Sequence, residues 1–275
     1  MISEENMFYY EKREELNKEW FVIEENENFS FPTHLHRWYE IIFLKEGEMD
    51  VIIDGTVRKL QKNDSVFIFP NQTHQLVTKT SSKHKLILLK PELIAHFNAK
   101  LQNCISKEPK KHIDSDAWIE LFMSASESTA FEAIKGILYI YCSFFANDEF
   151  ISVSEKDSVG GSDLMHRIFS FADENFLKSC SLKDLSAHIG YDYSYLSKLF
   201  SEHIGISFTE YVNMLRIDRA CYLLKNTDLP VLEIAEMCGY GSLRSFNRNF
   251  VKQMNMAPRD YKQSSIVYNG NKSKL

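Results

Sequence analysis

An internal repeat in the C-terminal part of the chain constrains the fold more than any other feature of the sequence. The segment LSAHIGY at residues 185–191 matches IAEMCGY at residues 234–240, 49 positions later. The aromatic residues that follow match at an offset of 50 positions: Phe200 with Phe250, and Tyr211 with Tyr261. Each copy has the pattern of two helices joined by a short turn that contains glycine. The repeat therefore predicts two helix-turn-helix motifs in one all-α domain.

The segment between the two copies predicts a single long helix. It runs from Phe208 to Lys225, follows the capping residue Ser207, and has a helical length of about 27 Å. In helix-turn-helix proteins the second helix enters the major groove, and successive groove segments on one face of DNA lie about 34 Å apart. A spacer of this length suits two recognition helices in adjacent groove segments. A plain helical bundle is the alternative, and two copies in register make it the less favoured one.

Four sequence segments carry a family resemblance over about 100 residues, from Asp163 to Lys262. They are SYLSKLF in the first copy, YVNMLRIDRACYLL in the connecting helix, IAEMCGY in the second copy, and the ending APRDYK. In these segments the chain resembles the DNA-binding domain of the AraC/XylS family of bacterial transcription regulators. It departs from the family pattern at Asn255, where glycine is usual, and at Lys262, where arginine is usual. Because asparagine tolerates positive φ, we expect the turn at Asn255 to be kept.

The resemblance implies which side chains face the DNA bases. In the first recognition helix these are Tyr193, Ser194, Ser197 and Lys198, and in the second they are Leu243, Arg244, Asn247 and Arg248. Arginine binds guanine O6 and N7 with two hydrogen bonds and asparagine does so with adenine N6 and N7, whereas serine and lysine make weaker or phosphate contacts. The candidate phosphate contacts are Ser207, Arg216 and Arg259. The alternative for the arginines of the second helix is that they are solvated surface charges.

Net charge is unevenly distributed along the chain. The whole chain carries a net charge of −6, but residues 163–275 contain 14 Lys and Arg against 12 Asp and Glu. A mildly basic domain neither establishes nor excludes DNA binding. We therefore expect affinity to depend on the fit of both motifs, and on a second subunit, rather than on bulk electrostatics.

The first ninety residues have the pattern of a β-domain. From Trp20 to Leu89, β-branched and aromatic residues are frequent and turn signals recur at short intervals. The predicted strands are Tyr39–Leu44, Met49–Ile53, Ser65–Phe69 and Lys85–Leu89, with a tight hairpin at Asp54-Gly55. Several short strands without helices between them predict a sandwich or a small barrel.

Helical periodicity then replaces the strand pattern. The predicted helices are Pro91–Gln102, Ser115–Met123 and Thr129–Phe145. The third has an apolar stripe: Phe131, Ile134, Leu138, Tyr141 and Phe145. Burial of this stripe against the barrel of its own chain is the favoured interpretation, and a dimer interface is the alternative. A polar, glycine-containing segment at residues 151–162 predicts an interdomain linker.

A histidine-rich motif lies among the predicted strands. His34, His36 and Glu40 are followed by Gly47, and His74 comes four residues after a proline. Over about residues 29–89 these residues resemble the two motifs of a cupin barrel, although the second motif is one residue shorter than in metal-dependent cupins. There, three His and one Glu bind one ion, and these ligands suit Mn, Fe, Zn or Ni. In cupins fused to this type of DNA-binding domain the same positions face a small-molecule pocket without metal, so the resemblance implies effector binding and no cofactor.

The predicted effector site has hydrogen-bonding groups and aromatic groups. They are His34, His36, Glu40 and His74 for hydrogen bonds, and Trp38 and Tyr39, or else Trp20, for stacking. Sugars are favoured by the family resemblance alone, and bile acids, urea, amino acids and peptides stay open. A structural role for the histidines ranks second. A metal-dependent enzyme, with the three histidines and the glutamate as ligands, ranks third.

Length and composition are those of a two-domain globular protein, with 275 residues of which 44% are hydrophobic and 25% charged. The longest apolar run is too short for a membrane helix, no signal peptide pattern is present, and the five cysteines form no CxxC pair. The sequence thus predicts a cytoplasmic α+β multidomain protein that is not an enzyme. Residues 1–150 form a cupin-like barrel (about 18–90) with a helical connector (about 91–147), and residues 163–275 form the double helix-turn-helix domain. The expected partners are double-stranded DNA, a small-molecule effector, a second copy in a homodimer and, for an activator, RNA polymerase, but no membrane.

Overall fold

Antiparallel strands form most of the N-terminal unit of the computed structural model, which describes residues 9–11, 20–101, 104–127, 131–152 and 162–264. The described chain divides into two units, residues 9–152 and residues 162–264. Most of the predicted linker, residues 153–161, lies outside the described residues, as do residues 265–275.

One long strand organises the N-terminal unit. The strands are β1 (Tyr9–Tyr10), β2 (Phe21–Glu27), β3 (Phe31–Leu35), β4 (Tyr39–Ile53), β5 (Thr56–Gln61), β6 (Asp64–Ile68), β7 (His74–Val77) and β8 (Ser82–Leu89). The first part of β4 pairs with β6 and β8, and its second part pairs with β5 and β7. Strand β2 pairs with β8 and β3 with β7, while β1 lies parallel to β3. Because β4 belongs to both halves of the sheet, the side chains between the halves form one apolar core.

The two predicted strands Tyr39–Leu44 and Met49–Ile53 are one continuous strand with an irregularity in its pairing. The register with β8 shifts between Leu44 and Glu46. Before the shift, Ile42 and Leu44 belong to the barrel core. After the shift, the core residues are Met49, Val51 and Ile53. One extra residue at a β-bulge changes which alternate side chains face the core. The predicted hairpin after this strand is confirmed, with positive φ at Asp54 and Gly55.

The connector contains both helices and short strands. After a 3-10 turn at Pro91–Ile94 come α1 (Ala95–Lys100), β9 (Cys104–Ser106), β10 (Lys110–His112), α2 (Ser115–Glu127), α3 (Phe131–Ser143) and β11 (Phe150–Ser152). The predicted single helix over 91–102 is therefore wrong, because the backbone leaves helical geometry at Ile94. The short strands were not predicted, since β10 pairs with β6 and β9 with β11 across long sequence separations.

The apolar stripe of α3 packs against its own barrel. The Tyr141 ring lies edge-on to Phe43 at 5.6 Å and to Phe67 at 5.5 Å, and its hydroxyl donates to Ser65 Oγ at 3.1 Å. Phe145 contacts Phe67 at 5.3 Å. Tyr141 and Phe145 are thus buried inside this unit, as the favoured interpretation predicts.

Helices are the only regular secondary structure in the described residues of the second unit. Its helices are α4 (Ser162–Asn175), α5 (Leu182–Ile189), α6 (Tyr193–Ile204), α7 (Phe208–Asn226), α8 (Val231–Met237), α9 (Leu243–Met254) and α10 (Pro258–Gln263). A capping box of Ser181 and Asp184 starts α5, and α7 is one uninterrupted helix of 19 residues, about 28 Å long. None of the described helices combines the length and apolar composition that a membrane-spanning segment needs.

The sequence repeat is also a repeat of the packing. Phe200 and Tyr211 lie edge to face with ring centroids 5.6 Å apart, and Phe250 and Tyr261 repeat the contact at the same distance. Asn255 has a positive φ of 56° at the end of α9, so the turn is kept without glycine, as expected. Both copies therefore use equivalent residues for their cores.

Gly239, in the turn of the second copy, has a tertiary role. Its φ is 76°, and an added Cβ would lie 2.9 Å from backbone atoms of Phe176 and Leu177. The matching Gly190 has a φ of 81° but open space around it. A side chain at position 239 would therefore clash with the segment that follows α4, whereas a side chain at position 190 would meet no other atoms.

Candidate functional site

The first recognition helix, α6, presents its predicted base-facing residues to solvent. Its N-cap is Asp192, whose carboxylate accepts hydrogen bonds from the backbone N–H groups of Ser194 and Tyr195 at 2.8 and 3.1 Å. The four predicted residues are all exposed: Tyr193, Ser194, Ser197 and Lys198. Leu196 and Phe200, on the opposite face, are fully buried. The cap and the core contacts therefore fix which face of this helix is available.

The second recognition helix, α9, has the same arrangement with more charge. The hydroxyl of Ser242 caps it by accepting from the N–H of Ser245 at 3.2 Å. The four predicted residues are exposed: Leu243, Arg244, Asn247 and Arg248. Phe246 and Phe250 are fully buried on the other face. Two guanidinium groups and one amide thus share one exposed face, and their role in base contacts stays a prediction.

The three candidate phosphate contacts differ in their surroundings. Arg259 is exposed at the start of α10. Ser207 is also exposed, but it belongs to a capping box in which its hydroxyl accepts from the Glu210 N–H and donates to the Glu210 carboxylate. A phosphate at Ser207 would have to replace these bonds and approach the carboxylate. Arg259 is therefore the better candidate.

Arg216, the third candidate, already has hydrogen-bond partners inside this unit. Its Nε donates to the carbonyl of Phe176 at 2.6 Å and its Nη2 to that of Lys178 at 2.8 Å. The guanidinium also lies over the ring of Tyr240, 5.5 Å from its centroid. These bonds hold the segment after α4 against α7, so a DNA phosphate would compete with them, and the phosphate contact of Arg216 stays a prediction.

The histidine-rich motif forms one buried cluster in the barrel, which we call the His–Glu cluster. It contains four residues from β3, the turn after it, β4 and β7: His34, His36, Glu40 and His74. Glu40 Oε2 lies 3.0 Å from His36 Nε2 and 3.4 Å from His74 Nε2. One potential ligand atom from each residue lies within 4.8 Å of all the others. The fold thus brings together residues that are up to 40 positions apart in the sequence.

Backbone carbonyls orient the three imidazoles of this cluster. His34 Nδ1 lies 3.0 Å from the Pro32 carbonyl, and His74 Nδ1 lies 2.9 Å from that of Gln72. His36 Nδ1 is 3.2 Å from the carbonyl of Trp38. Because a carbonyl only accepts, each Nδ1 donates. The Nε2 atoms of His36 and His74 face the Glu40 carboxylate, which also only accepts, so a hydrogen bond there needs a proton on Nε2, which a bound metal ion would replace. In metal sites, such hydrogen bonds from Nδ1 to a carbonyl orient the histidine ring toward the ion.

Burial and mutual contacts shift the ionisation of the cluster. Burial, with His74 and His36 close by, lowers the pKa of His34 to about 2. Burial opposes ionisation of Glu40, but hydrogen bonds with His36 and His74 outweigh it and hold its pKa well below the ordinary value. Burial likewise disfavours a charged His74, yet Glu40 raises the pKa of that ring. A divalent cation binds carboxylate and neutral imidazole, so the lowered pKa values of Glu40 and His34 suit the ion that metal-dependent cupins bind, whereas the raised pKa of His74 opposes its binding by that ring.

Tyr39 is a correction to the predicted effector site. Its ring packs against Phe67 and Phe69 on the outer face of the sheet, and its hydroxyl donates to Asn98 Oδ1 at 2.8 Å. Adjacent residues of a strand point to opposite faces, so Tyr39 cannot share the inner face with Glu40. Trp38 does belong to the barrel core, and its ring lies 5.5 Å from His36.

Two residues near the cluster were missed in the sequence. The Glu11 carboxylate lies 3.7 Å from His34 Nε2, and no sequence pattern connects the two residues. His84 is fully buried, neither of its ring nitrogens has a hydrogen-bond partner among the described residues, and burial lowers its pKa to about 4. The sequence could have indicated the burial of His84. A strand places residues i, i+2 and i+4 on one face, so His84 lies on the same face as the core residues Leu86 and Leu88.

Comparisons with known proteins agree with this division of the chain. Residues 185–264 match the model of a helix-turn-helix domain, and residues 20–89 match that of a cupin domain. The HTH-type transcriptional activator AarP of Providencia stuartii is 30% identical over 119 residues, which are 43% of this chain and 88% of AarP. An uncharacterized HTH-type transcriptional regulator of Staphylococcus aureus is 31% identical over 107 residues, 39% of this chain. The matched region spans only 14% of that regulator.

A solved structure that resembles the chain along most of its length is that of ToxT from Vibrio cholerae. It is 17% identical, covers 92% of this chain and 99% of ToxT, and has a TM-score of 0.40. Another ToxT structure contains a bound unsaturated fatty acid.

Proposed function

The chain belongs to the AraC/XylS family of transcription regulators, and we propose that it binds a specific DNA sequence under the control of a small molecule bound in its N-terminal barrel. The observation that carries the DNA-binding part is the pair of exposed recognition faces on α6 and α9. They occupy equivalent positions in the repeat and are joined through one uninterrupted helix, α7. A helix of about 28 Å suits two helices that enter successive segments of the major groove.

The second recognition helix supplies the more specific contacts in this proposal. Arg244 and Arg248 each offer the paired donors that match guanine, and Asn247 offers the donor and acceptor that match adenine. In the first helix, Ser197 and Lys198 offer weaker contacts, and Lys198 also lies 3.8 Å from Glu202. We therefore expect α9 to determine most of the sequence preference, and α6 to contribute mainly affinity.

The barrel part of the proposal rests on buried polar groups near the His–Glu cluster. Among the described residues, Trp38 Nε1, Glu40 Oε1 and both ring nitrogens of His84 lack hydrogen-bond partners. Buried polar groups normally have partners, so these atoms are available for a bound ligand. They suit a small polar effector, and a sugar is the class that we propose from the family resemblance. Tyr39 is not part of this site.

The regulatory step follows from linkage between the two sites. The effector must bind more tightly to one arrangement of the protein than to another, because only differential affinity shifts an equilibrium. We propose that this changes how the two DNA-binding units of a homodimer are presented to their operator. Exposed apolar side chains on α2, on α3 and directly after α3 support a dimer: Leu121, Ile140 and Phe144. For an activator, RNA polymerase is the further partner.

Selection of bound fragments from genomic DNA tests the DNA-binding proposal. The wild-type chain should enrich a defined sequence, and the double variant Arg244→Ala/Arg248→Ala should lose that enrichment. Lys183→Ala removes one exposed positive charge from α5, outside the recognition faces, and serves as the matched control. Failure of the wild-type chain to enrich any sequence, with and without added sugars, would overturn the proposal.

A metal-dependent cupin enzyme fused to a helical domain is the second candidate function. The converging donors of the His–Glu cluster are the observation that favours it. The relatives found in the comparisons are transcription regulators, which favours the first candidate. Turnover of a substrate in the barrel, abolished in His36→Ala, together with no specific DNA binding would favour the enzyme.

A further inference from the structure

We infer that the second recognition helix, α9, reads a thymine methyl group through Val251, a residue outside the set that the family resemblance marks as base-facing. The inference rests on the proposed DNA-binding function and deepens it. It extends the reading face of α9 toward the end of the helix and names the base that the added residue recognises. It also gives a role to an apolar side chain that is 46% exposed.

Helix geometry places Val251 on the recognition face. It follows Arg248 by three residues and Asn247 by four, and residues at these spacings are neighbours on one side of a helix. The spacing i, i+3, i+4 and i+7 is shared by four residues of α9: Arg244, Asn247, Arg248 and Val251. The recognition helix of a homeodomain reads the major groove through four positions with the same spacing. The face of α9 that can read bases therefore extends to Val251.

The packing of α9 directs the Val251 side chain away from the rest of the unit. Successive residues of a helix are about 100° apart, so Phe250, Val251 and Lys252 point to three different sides. Phe250 is fully buried in the core. Lys252 contacts α7, where its Nζ donates to Glu210 Oε1 at 2.8 Å. Val251 lies between these two directions, on the side of the exposed recognition residues.

The chemistry of valine determines which base it recognises. Its side chain has no hydrogen-bond donor or acceptor, so it can make only apolar contacts. The apolar group that a base presents in the major groove is the 5-methyl group of thymine. Against the other bases, Val251 would gain no methyl contact and would cover polar groups without replacing their hydrogen bonds to water, which costs free energy. Val251 therefore prefers an A·T pair whose thymine methyl faces it.

The first recognition helix differs at the equivalent position. Ser201 matches Val251 at the offset of 50 positions, and its hydroxyl donates to the Lys198 carbonyl at 3.1 Å. Serine offers much less apolar surface than valine. The thymine contact is thus a property of the second motif alone, and Val251→Ser gives the second motif the residue of the first.

Replacement of thymine by uracil in the operator tests the inference, because uracil lacks only the 5-methyl group. The operator is taken from the genomic-fragment selection described above, and each of its thymines is replaced in turn. With the full-length wild-type chain, at least one replacement should lower affinity about fourfold, which is the effect of one methyl group that is no longer buried. In Val251→Ser, one replacement that lowers wild-type affinity should have no effect.

The comparison is made within each variant, as the ratio of its affinities for the thymine and uracil operators, so a small loss of folded protein cancels. Val57→Ser is the matched control, because Val57 is 49% exposed and lies on β5 of the other unit. It should show the wild-type ratio at every thymine. Circular dichroism confirms that both variants are folded.

The outcomes separate this inference from the proposed function. If the wild-type chain enriches a sequence but Val251→Ser has the wild-type ratio at every thymine, the inference is overturned and the DNA-binding function stands. The same holds if no uracil replacement lowers wild-type affinity. If the wild-type chain enriches no sequence, the proposed function is overturned and the inference with it. A ratio that falls to about one at a single thymine in Val251→Ser alone supports both.

Discussion

Lys252 Nζ donates a hydrogen bond to Glu210 Oε1 at 2.8 Å, and this bond joins the second recognition helix to the first turn of the connecting helix. Glu210 also accepts from the N–H and hydroxyl of Ser207, which caps the same turn. One carboxylate therefore contributes both to the start of α7 and to the position of α9 relative to it.

The stabilising effect of Glu210 should depend on pH. The hydrogen bond from Lys252, followed by those from Ser207, lowers the pKa of Glu210 to about 2. A carboxylate whose folded-state pKa is lowered contributes stability above its unfolded-state pKa of about 4.3, and this contribution is lost as the pH falls toward 2. The difference in unfolding free energy between wild type and Glu210→Gln should thus be constant from pH 7 to 5 and shrink from pH 4.5 downward. Because the pair is exposed, the difference should also decrease in high salt. If the difference in unfolding free energy between the two proteins did not change with pH, the prediction would be contradicted.

Arg216 should affect stability more than its position on the surface of α7 suggests. Arg216→Gln removes donors from the carbonyls of Phe176 and Lys178, and we expect a loss of about 1–3 kcal/mol in unfolding free energy.

Arg259→Ala, at an exposed site, should change stability by less than about 0.5 kcal/mol. It should instead weaken DNA binding for all sequences and lower the salt slope by about 1. Denaturant unfolding and DNA titrations over a range of salt concentrations measure both effects, and equal stability of the two variants would contradict the assignment.

The two matching glycines should differ in their sensitivity to substitution. Gly190→Ala places a Cβ in open space at positive φ, which costs about 1–2 kcal/mol. Gly239→Ala has the same backbone cost and also forces a Cβ to within 2.9 Å of backbone atoms of Phe176 and Leu177. We expect Gly239→Ala to be clearly more destabilising, as measured by the urea midpoint of unfolding. Similar midpoints for the two variants would show that the segment after α4 can move away at little cost.

Arg248 should determine preference at one base pair. Arg248→Ala should cost about 1–3 kcal/mol in affinity for the selected operator and relax the preference at a single position. The measurement is binding to a panel of operators that differ by one base pair, with Lys183→Ala as the control. A uniform loss of affinity across the panel would instead indicate a phosphate contact.

The two neighbouring aromatic residues at the start of β4 should behave differently toward an effector. Trp38→Phe removes the unpartnered Nε1 donor and should weaken binding of an effector sugar by up to about tenfold, if the sugar accepts a hydrogen bond there. Tyr39→Phe removes only the bond to Asn98 and should leave sugar affinity unchanged. Thermal shifts with a panel of sugars identify the ligand, and calorimetry then compares the variants. Weaker binding in Tyr39→Phe alone would contradict the assigned faces.

Local periodicity explains most of the successful predictions. The fold class is confirmed as α+β, with a cupin-like barrel before an all-α double helix-turn-helix domain. The burial of Phe250 and the exposure of Arg248 follow from helical spacing, and the αL turn at Asn255 follows from residue type. The prediction that Tyr39 lines the effector site was wrong, and the sequence could have shown this, because adjacent residues of a strand point to opposite faces and Tyr39 is next to Glu40.

The amino-acid sequence by itself determined the helices of the second unit, the central strands of the barrel, the repeat and the faces of the recognition helices, because these depend on neighbours a few positions away. The tertiary structure alone decided the hydrogen bonds of Arg216, whose acceptors lie 38 and 40 residues earlier in the chain. It alone placed Glu11 beside His34, through the pairing of β1 with β3. Such contacts depend on how distant segments pack, and no local pattern of residues specifies that packing.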